Sequence, residues 1–218
     1  MASCAVPGLA KVSLRGDRIA LRAVLDGDAE RLYAYLRDPQ VNRFLNVVAP
    51  RDFATFARDL HEVLGGDEAS DVAFVIADLR SHAALGALRL SRQGSTDANL
   101  SFWLGQEHWG KHFASDAIRT AARYALRELG IATLFAQVFG GNVRSQTLLG
   151  RLGFGLARTR QMQENDLGKR QELTFRLDDA GLKLLAEQLT HPPLEEFAAP
   201  EPPAPFDTLH GAQDWGSG

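Results

Sequence analysis

Two short segments of the sequence place glycine, basic, hydroxyl and amide groups where helices are expected to begin. The first is Trp109-Gly110-Lys111-His112-Phe113-Ala114, between a strand-like run and a long amphipathic run. A glycine-bearing turn from a strand into a helix directs several backbone N–H groups at one spot, with the positive helix end behind them. The segment is therefore compatible with a phosphate-binding turn. Taken alone, however, one glycine beside one lysine favours an ordinary turn in which Gly110 supplies only backbone freedom.

The second segment, Gly140 to Phe154, has Asn142 at the position of a helix N-cap and Ser145 three residues later, in the first helical turn. An N-cap side chain accepts a hydrogen bond from a backbone N–H of that turn. A capped helix with an incidental serine explains the same residues, so neither segment alone decides a function.

Apolar periodicity supplies the elements that must position these two segments. An acidic residue, Asp26 or Asp28, is expected near the first helix cap, and Pro39 is expected to stop that helix. Short turn-like segments between the first strands favour antiparallel hairpins, and the order of elements predicts a mixed sheet with helices on both faces. Strands are predicted at 19–24, 72–79, 83–90, 99–104, 133–139, 156–161 and 172–177, and helices at 26–38, 51–64, 114–129, 142–152 and 179–189.

Taken together and in this order, the two segments resemble the general N-acetyltransferase (GNAT) superfamily. The shared pattern is W-G-K-x-[FY]-A-[ST]-[DE]-A followed by N-x-x-S-x-x-x-L-x-[KR]-x-G-F, and Ile19 to Arg22 resembles the opening strand of the branch that contains the ribosomal-protein N-terminal acetyltransferases. The likeness extends from about Arg18 to Leu177. It implies an α/β (α+β) fold with a mixed, mostly antiparallel central sheet, helices on both faces and a V-shaped splay between the fourth and fifth strands.

The resemblance also implies an activity, the transfer of an acetyl group from acetyl-CoA to a primary amine by direct attack in a ternary complex. Ser145 would donate a proton to the leaving thiolate and Asn142 would order the site, so these two are the expected catalytic residues. Backbone amides from Gly110 to Ala114 would hold the pyrophosphate. The expected cofactor-binding residues are Leu104, Trp109, Gly110, Lys111, His112, Phe113, Ala114, Asn142 and Ser145.

One position departs from the family pattern, because His112 occupies a site where glycine is usual. The proton acceptor is also unassigned, since Glu107, His108, His112 and Asp116 all lie near the same junction of strand and helix. Two alternatives to an N-acetyltransferase therefore stay open. One is a catalytically silent acyl-CoA-binding module, and the other is an interaction protein that presents its acidic C-terminal tail.

Composition limits the partners and the location. The chain has 218 residues, 45% hydrophobic residues and a formal net charge of −3, which is typical of a globular domain and gives no reason to expect nucleic acid or a membrane surface. A single cysteine, Cys4, excludes an intrachain disulfide, and no metal is expected. With no secretory signal evident in the sequence, a cytoplasmic location is predicted. The acceptor is a small molecule, an amino acid or a protein N-terminus, and the sequence leaves monomer and homodimer open.

The domain organisation follows from a change in composition near the C-terminus. Residues 192–218 hold six of the nine prolines and five acidic residues but no Lys or Arg. A segment of this kind has too little apolar surface to build a core by itself. The prediction is an N-terminal segment at 1–17, an acetyltransferase domain at 18–190 and a Pro-rich acidic tail at 191–218, either disordered or docked.

Overall fold

A computed structural model describes residues 12–25, 27–45, 52–65, 71–164 and 168–188. The strands are β1 Leu14–Arg15, β2 Ile19–Arg22, β3 Asp71–Asp78, β4 Ala84–Arg92, β5 Asp97–Leu104, β6 Thr133–Phe139, β7 Gly155–Glu164 and β8 Gly168–Leu177. The helices are α1 Asp28–Arg37, α2 Pro39–Asn42, α3 Phe53–Gly65, α4 Phe113–Arg127, α5 Val143–Arg151 and α6 Asp179–Glu187, with a 3₁₀ helix at Gln106–His108.

All eight strands form one sheet in the order β1-β2-β3-β4-β5-β6-β8-β7. Neighbouring strands are antiparallel except β5 and β6, which run parallel. That parallel pair is short, because only Asp97 to Asn99 pair with Thr133 to Phe135. Beyond these residues the two strands diverge. The predicted mixed, mostly antiparallel sheet is confirmed, and so is the splay, since β5 and β6 are the fourth and fifth strands expected from the sequence.

Helices cover both faces of the sheet, as predicted. Side chains of successive strand residues point to opposite faces, so each strand contributes to two separate apolar layers. Phe74 and Ile76 of β3 pack with Ile118 of α4 and Leu182 of α6 in the larger core. On the opposite face, Val75 packs with residues of α1 and α3 in a smaller core. The helices α4, α5 and α6 therefore share one face of the sheet, and α1 and α3 share the other.

Three elements were absent from the sequence prediction, namely β1, α2 and the 3₁₀ helix at Gln106–His108. The short strand β1 pairs with β2 through Leu14 and Arg15. Pro39 ends α1 as expected but also begins α2, where the Asp38 side chain accepts a hydrogen bond from the Gln40 N–H. Proline at the first helical position loses no hydrogen bond, which is why it can start a helix as well as stop one.

Other expectations fall partly or wholly outside the described residues. These include the tail at 191–218, residues 1–11 of the 1–17 segment, and Asp26 as a helix cap. Gly27 is the N-cap of α1, and the neighbouring Asp28 carboxylate forms a buried ion pair with Arg22. Within the described residues, no helix is long and apolar enough to span a membrane.

Candidate active site

A cleft opens where β5 and β6 diverge. Its walls include Leu100 to Leu104 of β5 and Ala136 to Phe139 of β6, and its volume is about 880 Å³. In this part of the sheet, the backbone N–H and C=O groups of β5 and β6 that face the cleft do not hydrogen-bond to each other. A bulge in β4 lies beside the cleft, where a Cβ on Gly86 would approach the Trp103 carbonyl oxygen to 2.0 Å. Only glycine fits that contact, so the sequence itself fixes how β4 and β5 approach each other.

The turn from β5 into α4 closes one end of the cleft. Gly110 and His112 both adopt positive φ, 74° and 67°, and His112 is the N-cap residue of α4. As a result, the backbone N–H groups from Gly110 to Ser115 donate to no acceptor within the described parts of the chain. A set of unpaired N–H groups at the start of a 15-residue helix is a site for an anion.

Most of the residues expected from the sequence lie on the wall of this cleft. Lys111 is the exception, because it is exposed and does not line the cleft. His112 keeps the left-handed conformation that glycine would adopt, so the turn retains its shape without the usual glycine. The expected residues on the wall are Leu104, Trp109, Gly110, His112, Phe113, Ala114, Asn142 and Ser145.

The start of α5 forms a second wall. Asn142 is the N-cap, and its Oδ1 accepts a hydrogen bond from the Ser145 N–H at 3.2 Å, which confirms the capping prediction. Ser145 is partly buried, and both residues face the cleft. The Arg144 guanidinium lies over the Trp109 ring, 4.3 Å from its centroid. This cation–π contact joins the α5 wall to the turn before α4.

Of the four candidate proton acceptors, Glu107 and Asp116 do not line the cleft, and Asp116 is held in the core. Its carboxylate is buried and accepts hydrogen bonds from the backbone N–H groups of Asp17, Arg18 and Ile19, at 2.6 to 3.2 Å. Burial raises the pKa of Asp116, an effect that the hydrogen bonds from Arg18 and Asp17 oppose. Asp116 therefore anchors the start of β2 to α4. A carboxylate held in this way has no route to a substrate in the cleft.

His108 is the candidate whose environment suits a proton acceptor. It lines the cleft, and its Nε2 lies 2.8 Å from the hydroxyl oxygen of Tyr35. The Tyr35 hydroxyl donates to Glu107 Oε1 at 3.0 Å. This chain of hydrogen bonds assigns the proton of the neutral ring to Nε2, and Nδ1 then carries the lone pair. Within the described residues, Nδ1 has no hydrogen-bond partner and is not buried.

The electrostatic surroundings of His108 keep its imidazole neutral. Burial lowers the pKa of His108 below 6.5, and the positive charges of Lys111 and Arg31 add to this, while Glu107 and Asp78 oppose it. Tyr35 is fixed in turn by Gly105, because a Cβ there would lie 2.7 Å from the tyrosine ring. The sequence could not reveal this cluster, since Tyr35 and His108 are 73 positions apart.

The other half of the cleft is formed by α2, the segment after it, and the strands β6 and β8. Phe139 of β6 lies opposite Glu172 of β8 in the sheet register. Arg43 and Phe44 approach from α2, and the backbone oxygen of Arg43 accepts a hydrogen bond from Arg170 at 2.6 Å. Sequence reasoning missed Glu172, because the strand predicted at 172–177 gave no indication of which of its residues faces the splay.

Comparison with known proteins agrees with this geometry. The profile of the acetyltransferase (GNAT) domain matches residues 18–155, more than half of the chain. The chain belongs to the GNAT acetyltransferase family. The sequence is 27% identical over 146 residues to the uncharacterized N-acetyltransferase p20 of Bacillus licheniformis, covering 65% of this chain and 82% of that protein. The family predicted from the sequence is thus confirmed, and this GNAT protein is an acyltransferase.

Two solved structures illustrate how closely the GNAT fold is shared. Spermidine N-acetyltransferase from Vibrio cholerae, in complex with CoA and spermine, has a TM-score of 0.66 at 18% identity, covering 76% of this chain and 98% of its own. RimJ of Mycobacterium smegmatis, in complex with CoA-disulfide, has a TM-score of 0.66 at 16% identity, covering 82% and 96%. At these identities the likeness concerns the fold.

No group of three or more metal-ligating side chains occurs within the described residues.

Proposed function

We propose that this GNAT protein transfers an acetyl group from acetyl-CoA to a primary amine by direct attack in a ternary complex. The observation that carries the proposal is the set of unpaired N–H groups from Gly110 to Ser115 at one end of the splayed cleft. Those groups would hold the pyrophosphate of the donor, because backbone amides at a helix start bind phosphates without a dedicated cation. The family membership supplies the acetyltransferase chemistry.

The diverging strands would hold the rest of the donor. In the splay, the end of β5 has unpaired backbone groups that can bond an extended pantetheine arm in the manner of an added strand. Leu104, Trp109 and Phe113 offer apolar contacts along this path. The thioester would then reach the start of α5, where Asn142 and Ser145 lie.

In the chemical step, the nitrogen of a neutral amine forms a bond to the thioester carbonyl carbon, and the C–S bond breaks. Ser145 would donate its hydroxyl proton to the departing thiolate and take up a proton from solvent in its place. The proton lost by the amine would pass to Nδ1 of His108, directly or through a water molecule, because that lone pair is accessible and the ring is neutral near pH 7. Asn142 would keep Ser145 in place by capping α5.

Two measurements test this proposal. Saturating acetyl-CoA, at about 100 times its dissociation constant, should stabilise the protein by about 2.7 kcal/mol, seen as a higher melting temperature. Thiol release from acetyl-CoA should then depend on an added amine. Stabilisation without amine-dependent thiol release would indicate the silent acyl-CoA-binding module. No stabilisation at any acetyl-CoA concentration would contradict the donor site itself.

A further inference from the structure

Glu172 occupies a distinct position on the cleft wall. In β6 and β8 the residues on one face, such as Val138 and Leu173, are buried in the core beneath α5 and α6. Phe139 and its partner Glu172 alternate with them and therefore lie on the opposite face, the one that carries α1. The turn that forms the proposed donor site leads directly into α4, which packs in the larger core with Val138 and Leu173. Glu172 and that turn both line the cleft, from opposite faces of the sheet.

Charge is distributed unevenly along the cleft. Glu172 is the only carboxylate among the described residues that line it, against the three arginines Arg43, Arg144 and Arg151. Arg144 and Arg151 belong to α5, and Arg43 stands on the same side as Glu172. No hydrogen bond or ion pair joins the Glu172 carboxylate to another described residue, although Arg160 is its cross-strand neighbour on β7. This carboxylate is available to a cationic ligand.

We propose that Glu172 binds the ammonium group of the acceptor and selects amines that carry a single positive charge. The inference rests on the proposed acetyl transfer and adds the acceptor class: one ammonium group on a molecule whose remainder is neutral or anionic. An ammonium group entering the cleft meets Glu172 as its one carboxylate counter-charge among the described lining residues, and it releases one proton to solvent before the neutral amine attacks the thioester. The anionic remainder is attracted by Arg43.

Polyamines fit the same wall poorly. After Glu172 has paired with one ammonium group, a second group along the molecule finds no further carboxylate among the described lining residues. It faces Arg43 on the acceptor side instead. The positive charge of Arg43 repels the second ammonium group of a polyamine. Arg43 therefore contributes to selectivity together with Glu172, because repulsion of a competing ligand is a source of specificity.

The test compares acceptors that differ in the charge carried beside the α-ammonium group. Alanyl-glutamate and alanyl-lysine share the same α-ammonium group, but alanyl-lysine carries a second ammonium group where the first peptide has a carboxylate. Steady-state thiol release should give a kcat/KM about tenfold higher for alanyl-glutamate, and spermidine should be the poorest acceptor. Glu172→Gln should raise KM for alanyl-glutamate roughly 10- to 100-fold, with kcat and the Kd of acetyl-CoA unchanged.

Glu187→Gln is the matched control, since it removes an exposed carboxylate from α6, on the other face of the sheet. It should leave every parameter unchanged. The acceptor assignment is overturned if alanyl-lysine or spermidine is preferred, if neither peptide is acetylated, or if Glu172→Gln leaves KM unchanged. A loss confined to kcat would also overturn it, because the carboxylate would then act in the chemical step. Loss of acetyl-CoA stabilisation in the wild type would instead contradict the proposed function.

Discussion

At the scale of single residues, Ser145 is the group whose removal should separate chemistry from binding. It lies partly buried in the first turn of α5, and its backbone N–H is already used by the Asn142 cap. Ser145→Ala deletes the hydroxyl and leaves that cap intact. Loss of one positioned proton donor should lower kcat roughly 10²- to 10⁴-fold with little change in the Kd of acetyl-CoA.

Steady-state kinetics and a thermal-shift titration measure both quantities for Ser145→Ala. Ser95→Ala is a suitable control, because Ser95 is exposed in the turn between β4 and β5, away from the cleft wall. A Ser145→Ala enzyme with wild-type turnover would remove the serine from the mechanism, and the thiolate would then depart with a proton from solvent.

His108 should set the acidic limb of the pH profile. Only the neutral imidazole accepts a proton, and burial lowers the pKa of His108 below its ordinary 6.5. The kcat/KM of the wild type should therefore show a further decline below pH 6.5, in addition to the loss of neutral amine, as His108 becomes protonated. In His108→Gln, kcat should be roughly 10²- to 10⁴-fold lower and this limb should vanish.

Deprotonation of the amine acceptor adds a second limb to the pH dependence of kcat/KM. This limb lies at higher pH, because ordinary amines have a higher pKa than histidine. It should persist in His108→Gln, which distinguishes the two. Tyr35→Phe should retain the acidic limb with a changed midpoint, since Tyr35 only orients the ring through Nε2. If the His108→Gln profile matched that of the wild type, the proton acceptor would lie elsewhere.

At the scale of elements, the turn before α4 combines an unusual residue with a demanding conformation. His112 adopts φ of 67°, which costs a non-glycine residue about 1–2 kcal/mol. His112→Gly should relieve this strain, and the greater freedom of glycine in the unfolded chain offsets part of the gain. The expected result is a net stabilisation of up to about 1 kcal/mol with acetyl-CoA affinity kept or improved, since the backbone N–H groups supply the proposed site.

Melting curves and acetyl-CoA titrations at pH 6 and pH 8 measure both effects of His112→Gly. A weaker affinity in the variant, more so at the lower pH, would show that the charged imidazole contacts phosphate. Lys111→Ala serves as a comparison, because Lys111 is exposed in the same turn but does not line the cleft.

The helix α5 depends on its cap. Asn142→Ala removes the oxygen that accepts the Ser145 N–H and should destabilise the protein by about 0.5–2 kcal/mol. Asn142→Asp preserves an acceptor at the same place and should retain most of the stability. Thermal melts of both variants test this, and turnover of the alanine variant should fall along with the order of the helix start. Equal melting temperatures for the two variants would mean that the cap contributes nothing.

The sequence predicted elements with strong periodicity and missed those fixed by distant partners. The strand β6 has the predicted bounds, and α4 and α5 differ by one or two residues, because each carries an apolar pattern and a clear start signal. The strand β1 has only two residues and no pattern of its own. Asp116 was read as a candidate base because its partners lie 97 to 99 positions away. The same limit hid the pairing of Tyr35 with His108.

At the scale of the whole molecule, the residues of the cleft are held from two faces of the splayed sheet, and each face has its own apolar core. The larger core fixes α4 and α5 on one face, and with them the turn and the Asn142 cap. The smaller core fixes α1, which carries Tyr35, against the other face. A catalytic cleft between β5 and β6 thus requires both layers to keep their positions relative to the sheet.

One buried ion pair connects the smaller layer to the sheet. Arg22 at the end of β2 and Asp28 at the start of α1 form two hydrogen bonds of 2.6 and 2.9 Å, and both side chains are almost fully buried. The Arg22 guanidinium also donates to the carbonyl oxygen of His82, before β4, and Asp28 accepts from the Leu25 N–H. Four parts of the chain meet at this pair.

Removing either partner leaves the other charge buried without its counter-charge, so Arg22→Met or Asp28→Leu alone should reduce the free energy of unfolding by about 3–5 kcal/mol. That is a large share of the roughly 5–15 kcal/mol typical of a domain. The double variant Arg22→Met with Asp28→Leu should lose less than the sum of the single losses, because no unpaired charge remains. Urea denaturation of the four proteins gives the coupling energy. Additive losses would show that each residue acts through its own backbone contacts, and that the pair does not hold α1 to the sheet as a unit.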